Sequence, residues 1–290
     1  MLVVSALISG LGLGAMYGLL ALGFHITYAV SGTVNFAQGS SMMLGAVFAY
    51  AFAIGLGWPL PLAAAMALAA CAVYGLVVEL VAVRPFARRG SNAWLMATVA
   101  LGILADNVVL FTFGKEPRGL PMPGTAAAFQ LGGVGVSTLQ VVIPAVGLGL
   151  AAALHQFSRR TRLGTALLAV VQNPDAARLM GINVTVAIAG AYAASTVFAG
   201  AAGILIAPLF NVHSDMGTVF GLKAFAVAIL GGITSAWGVM LAGLLFGAAE
   251  ALITALLGSA YTQILTFALV IVVLALRPNG LFGRAEVKKV

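Results

Sequence analysis

Residues 222–257, LKAFAVAILGGITSAWGVMLAGLLFGAAEALITALL, hold two apolar runs joined by a glycine-rich turn, with Lys223 and Glu250 as their only charged side chains. The second run, Val239 to Leu257, has the length of one helical crossing of a bilayer, which takes about 20 residues. The first, Leu222 to Ile233, is shorter, so it either crosses or only dips into the membrane. Working outward, the same apolar character recurs over Leu2 to Val30, Ser41 to Leu56, Leu60 to Val83, Ala93 to Phe113, Leu139 to Phe157, Val184 to Phe210 and Tyr261 to Leu276. The expectation is an all-α polytopic membrane bundle of about eight or nine transmembrane segments.

Composition agrees. The 290 residues are 62% hydrophobic and 7% charged, with a mean hydropathy of +1.12, whereas a soluble domain of ordinary composition is about 25% charged. The net charge of +7 is not a nucleic-acid footprint, because the basic residues are gathered into short connections. Arg84, Arg88 and Arg89 share one; Arg159, Arg160, Arg162 and Arg178 share another; Arg277, Arg284, Lys288 and Lys289 close the chain. The positive-inside bias places all three in the cytoplasm, which turns the Gly114 to Ser137 connection outward. MLVVSALISG lacks a basic leader and a small-residue cleavage site, so it reads as a first span rather than a removed signal. The lone Cys71 has no disulfide partner. One transmembrane domain over 1–290 is expected, with a cytoplasmic loop at 158–183 and a cytoplasmic tail at 277–290.

Two segments resemble each other: GTVNFAQG (32–39) and GITSAWG (232–238) each have glycines near their ends and each precede a glycine-rich apolar run. Such echoes fit an internal two-fold repeat with a re-entrant or broken segment in each half, as in many transporters. Chance pairing of glycines accounts for them equally well. SGTVNFAQGS is the better candidate for a broken or re-entrant stretch, since irregular backbone at membrane depth must be buried in protein or line a wet cavity; an ordinary inner loop is the competing reading, and the preferred one if there is no repeat.

Catalytic signatures are missing. There is no G-x-x-x-x-G-K-[ST] phosphate loop and no G-x-S-x-G nucleophile turn. His25, His155 and His213 lack metal-ligand spacing, so no metal is expected. Gly10, Gly14 and Gly18 repeat every four residues inside an apolar span, the pattern of close helix packing rather than of nucleotide binding. Asp106 and Glu250 lie within spans and are costly there unless paired or wet. They either line a solute path or make interhelical hydrogen bonds. Lys223 follows an outward loop and is expected to reach the surface by snorkelling.

The polar interruption QNPDAARLMGINV (172–184) has the parts of a short helix. Asn173 can cap it and Pro174 suits its first turn. Asp175 complements the positive helix end and Gly181 can terminate it. Ala176, Ala177, Leu179 and Met180 are then available to enter a groove and Arg178 to meet an acidic partner; a solvated helix lying on anionic lipid is the competing reading.

Asp175 to Gly181, D-A-A-x-x-x-G, resembles the E-A-A-x-x-x-G loop of ABC-importer permeases. GTVNFAQGSSMMLGA, VRPFARRGS, GLKAFAVAILGGITSAWGVMLAGLLFGAAEAL and LRPNGLFG together resemble the LivH-type permeases of branched-chain amino acid transport, in order and across nearly the full chain. Gln38 stands where these commonly have histidine, Leu168 where an arginine is usual, and Asn279 where a threonine is usual. The resemblance implies a permease of the bacterial inner membrane that is not itself an enzyme. It would pair with a second, related permease and two cytoplasmic ATPases that carry ATP and Mg, and a periplasmic binding protein would deliver an amino acid. Asp175, Ala176, Ala177, Arg178, Leu179 and Gly181 would form the coupling helix. Gly32, Asn35, Gln38, Gly231, Gly232 and Ser235, together with Asp106 and Glu250, are the expected translocation-path residues. A proton-coupled carrier using Asp106 or Glu250 is the alternative.

Overall fold

A computed structural model describes residues 2–122, 127–131 and 134–283 of the chain. Its long helices are α1 (Leu2–Ser31), α3 (Leu60–Val77), α5 (Trp94–Phe113), α6 (Thr138–Arg160), α9 (Val184–Ile206), α11 (Ala236–Leu257) and α12 (Ser259–Leu276). Between them lie the shorter α2 (Gln38–Tyr50), α4 (Arg84–Ala87), α7 (Arg162–Gln172), α8 (Pro174–Leu179) and α10 (Met216–Gly231). A small antiparallel hairpin, β1 (Ala127–Leu131) and β2 (Val134–Ser137), sits in the connection before α6 and is the only sheet among the described residues.

Seven helices are long and apolar enough to cross a membrane. The two expected crossings that fall short are α2 and α10. α2 is prolonged by a π-helical turn, Ala51–Gly55, and α10 has only 16 residues. The first run of the opening stretch is thus too short to span a bilayer as helix alone, although the chain passes from the Val212 end of the bundle to the α10–α11 turn at the other. Side chains such as Val73, Phe111, Ile264 and Ile271 point out of the bundle. In water each would forgo roughly 1.5–3 kcal/mol of burial; against lipid they lose nothing. The chain is a multi-pass membrane protein.

The core is organised around α1, and α11 is its main partner. A Cβ added at Gly10 would lie 2.7 Å from the Gly247 carbonyl oxygen, and one at Gly14 would lie 2.6 Å from that of Gly243. Gly18 faces Met240, where an added Cβ would lie 2.6 Å from the sulfur and 3.3 Å from the carbonyl oxygen. The four-residue spacing thus lets two antiparallel helices meet backbone to backbone, where dispersion contacts replace the hydrophobic drive that lipid cannot supply. Gly45 on α2 meets Gly200 on α9 in the same way, and Gly75 on α3 meets Tyr192 and Ala193.

The broken stretch lies between α1 and α2. Gly32 ends α1 with φ +66°, and the chain then runs without helix to Gln38. Side chains replace the missing helical bonds, as buried backbone requires. The Ala37 amide donates to Asn35 Oδ1 at 3.0 Å, the Phe36 amide to Thr98 Oγ1 at 3.3 Å and the Thr33 amide to Ser31 Oγ at 3.3 Å. The echoed second segment uses the same local device. Gly232, at φ +82°, ends α10, and Ser235 caps α11 by accepting from the Gly238 amide at 3.1 Å.

The described parts of all three basic segments emerge at one end of the bundle. Val30 at the end of α1 packs with Val170, Ala177 and Val184 of α7, α8 and α9. Ile188 on α9 links that cluster to Val83, next to Arg84. The segment after α12 folds back on the α10–α11 turn, with the Leu281 amide donating to the Leu230 carbonyl at 2.7 Å. At the opposite end Arg118 and Val212 exchange backbone hydrogen bonds of 2.9 and 2.8 Å.

Candidate functional site

Two places in the fold carry groups that a packed bundle does not need. The first is a cavity of about 270 Å3 between α1, α2, α5 and α10. It exists because α2 and α10 both begin inside the bundle. Their first turns cross at Gly39, Gly217 and Gly221, with no side chain between them. One wall is aromatic: Phe24, Phe36 and Phe225 form a cluster with ring centroids 5.1 to 6.5 Å apart. The opposite wall, on α5, presents Asp106 beside the Ser40 hydroxyl. Asp106 Oδ1 is buried and has no hydrogen-bond partner.

The second is α8. Asn173 Oδ1 accepts from the amides of Asp175 at 3.1 Å and Ala176 at 3.0 Å. Pro174 opens the helix, and Gly181, at φ +83°, follows it. Asp175 and Arg178 pair with each other at 3.0 Å on the exposed face. Leu179 and Met180 are 89% and 82% exposed, and they project from the basic end of the bundle. Ala177 corrects the expectation that it would be available to a partner. It is buried on the inner face of α8 against Val170 and Val184, since a six-residue helix needs one apolar anchor to hold its place.

The expected path residues do not come together. Asn35 and Gln38 are fully buried in a polar junction. Gln38 Nε2 donates to the Ser195 carbonyl at 3.0 Å, while Gln38 Oε1 accepts from Ser195 Oγ at 2.9 Å and from Asn35 Nδ2 at 3.3 Å. This ties α9 to the break between α1 and α2. Gly32, Gly231, Gly232 and Ser235 shape helix ends. Gly231 lies against Gly238, and Gly232 lies against Gly283 and Asn279. Asp106 alone of the eight faces the cavity.

Glu250 belongs elsewhere. Its Oε1 is 2.5 Å from Lys223 Nζ, with the two side chains 10% and 9% exposed. Lys223 therefore does not snorkel to the surface. It lies 5.8 Å from the centre of the Tyr17 ring and neutralises Glu250 inside the bundle, which avoids leaving either charge alone in apolar surroundings. A similar bidentate pair joins Arg84 to the buried Glu79, at 3.0 and 2.6 Å.

The cavity lining beyond Asp106 went unnoticed in the sequence. Gly39 and Ser40 follow Gln38 directly, yet nothing local marks which residue of the polar segment faces inward. Phe24 and Phe225 are 201 residues apart and read as ordinary apolar positions.

With this geometry in place, comparison with known proteins is decisive. Residues 6–274 match the family described as "Branched-chain amino acid transport system / permease component". The chain belongs to that permease family. The permease is 33% identical to the high-affinity branched-chain amino acid transport system permease protein LivH of Salmonella typhimurium, over 97% of this chain and 96% of LivH. It is equally similar to BraD, the corresponding protein of Pseudomonas aeruginosa, at 33% identity over 98% and 97% of the two chains. Among solved structures, PsaBC from Streptococcus pneumoniae in complex with Fab superposes with a TM-score of 0.51, covering 93% of this permease and 89% of that chain. At 12% identity this likeness concerns the fold alone.

Proposed function

We propose that this permease is the membrane subunit of an ABC importer for branched-chain or related amino acids in the bacterial inner membrane. It pairs with a second permease chain, is energised by two cytoplasmic ATPases that bind ATP and Mg, and is supplied by a periplasmic binding protein. The observation that carries the coupling is α8. A capped, exposed helix at the basic end of the bundle presents Leu179 and Met180 to the surroundings, in a chain with no phosphate-binding loop of its own. The positive-inside bias sets α8, the Arg84 loop and the tail in the cytoplasm, where an ATPase can receive them. Closure of the ATPases then moves α8 and, through Ala177, the starts of α9 and the end of α1.

Coexpression with the two ATPase chains and the sister permease tests this. The wild-type complex copurifies, and Leu179→Asp with Met180→Asp lowers ATPase recovery while the permease pair stays intact. Full ATP-independent uptake by this chain alone in liposomes refutes it. That outcome would favour a proton-coupled carrier built on Asp106 or Glu250, each of which keeps one buried carboxylate oxygen without a hydrogen-bond partner.

A further inference from the structure

We infer that the cavity between α2, α5 and α10 is a way-station for a free ammonium group, with Asp106 as its counter-charge. The inference rests on the import function proposed above and narrows its solute class. It starts from a charge balance. Asp106 Oδ1 is buried without a hydrogen-bond donor, and a buried acceptor left unmet is costly. No cation among the described residues meets it. Lys223 is next to Leu222 in the cavity wall, yet it is turned away and held by Glu250 at 2.5 Å. The acids Glu79 and Glu250 each have an internal basic partner; Asp106, equally deep in sequence within its span, has none among the described residues. Asp215, another acid, adds to the negative potential at this position. The position therefore selects for a positive group that arrives from outside the chain.

The remaining wall says what that group is attached to. Phe24, Phe36 and Phe225 present an apolar, ring-lined surface opposite the carboxylate. Ring faces attract cations as well as hydrocarbon. The space of about 270 Å3 suits a small amphiphile, and small-molecule sites are of this kind, mainly apolar with a few placed polar groups. Ser40 and Thr218 add hydroxyls at the rim. An aliphatic amino acid satisfies both walls, with its ammonium on Asp106 and its side chain on the rings. Urea, simple amides and N-acylated amino acids can donate a hydrogen bond to the carboxylate but leave its charge unbalanced, and are disfavoured.

The test uses the complete importer in proteoliposomes, with [14C]leucine, its binding protein in excess and ATP inside. Asp106→Asn should lower leucine uptake at least about tenfold, the scale of one charge-assisted hydrogen bond lost. ATPase activity stimulated by the loaded binding protein should stay within about twofold, and Asp106→Glu should restore part of the uptake. Equal uptake by Asp106→Asn and wild type overturns the inference. So does loss of the sister permease on purification of Asp106→Asn, which would make Asp106 half of an ion pair between the two permeases. If wild type itself does not take up leucine with ATP, the failure lies with the import function and not with Asp106.

Discussion

Removing one charge from the Lys223–Glu250 pair should cost far more than removing both. The N–O separation is 2.5 Å and both side chains are about nine-tenths buried, so neither ion has water to fall back on. Lys223→Met leaves a carboxylate among Tyr17, Phe246 and the glycine-lined face of α11, and Glu250→Leu leaves an ammonium there. Breaking such a pair from one side costs about 3–5 kcal/mol, a loss of roughly 10²- to 10³-fold or more in the folded-to-unfolded ratio. The double variant Lys223→Met/Glu250→Leu strands no charge and keeps similar volume. It should come back to within about 2 kcal/mol of wild type, since apolar replacement of a buried pair is often neutral. Unfolding in mixed micelles, followed by helical circular dichroism, gives the coupling energy from the four proteins of the cycle. The reasoning fails if the two single costs add in the double variant, or if both singles unfold like wild type. A stable Glu250→Gln protein that has lost uptake would instead return Glu250 to the transport path.

Three further outcomes follow from the same geometry. Gly14→Ala should disrupt the α1–α11 contact, because its Cβ would lie 2.6 Å from the Gly243 carbonyl oxygen, while Gly12→Ala, with open space around it, should be tolerated; size-exclusion profiles after heating distinguish the two. Asn173→Ala removes the acceptor of two amides and should loosen α8 by about 1 kcal/mol, seen as faster amide exchange over residues 175–180, with Asn173→Asp retaining protection. Ser195→Ala deletes the bonds to the Gly23 carbonyl, at 2.9 Å, and to Gln38 Oε1. It should destabilise the α1–α2 break by about 1–3 kcal/mol, read as a lower unfolding midpoint.

What could be read from sequence alone was what depends on neighbours in the chain. The α8 helix was legible because its cap, first-turn proline and terminating glycine all lie within nine residues. Gly10, Gly14 and Gly18 revealed a packing face by spacing, though not which helix would fill it. The break at 32–37 was legible from its polar composition. Its internal wiring was not, because Gln38 meets Ser195 across 157 residues and Thr33 meets Tyr192 across 159. Which glycines shape a helix end and which a close crossing was not legible for a related reason. Glycine marks both a helix end and a close crossing, and only packing tells Gly232 from Gly217. Lys223 looked like an interfacial cation because its partner lies 27 residues further on, on a helix whose rotation no local pattern fixes.

The crossing of α2 and α10 at Gly39, Gly217 and Gly221 has a mechanical consequence. Interdigitated side chains act like gear teeth: one helix cannot slide past the other without resetting rotamers. Here the surfaces that touch are bare main chain, so the joint can pivot while every neighbouring side chain keeps its conformation. The floor of the cavity is thus a part of the bundle that can shear without resetting rotamers, and one with no room for an added methyl group.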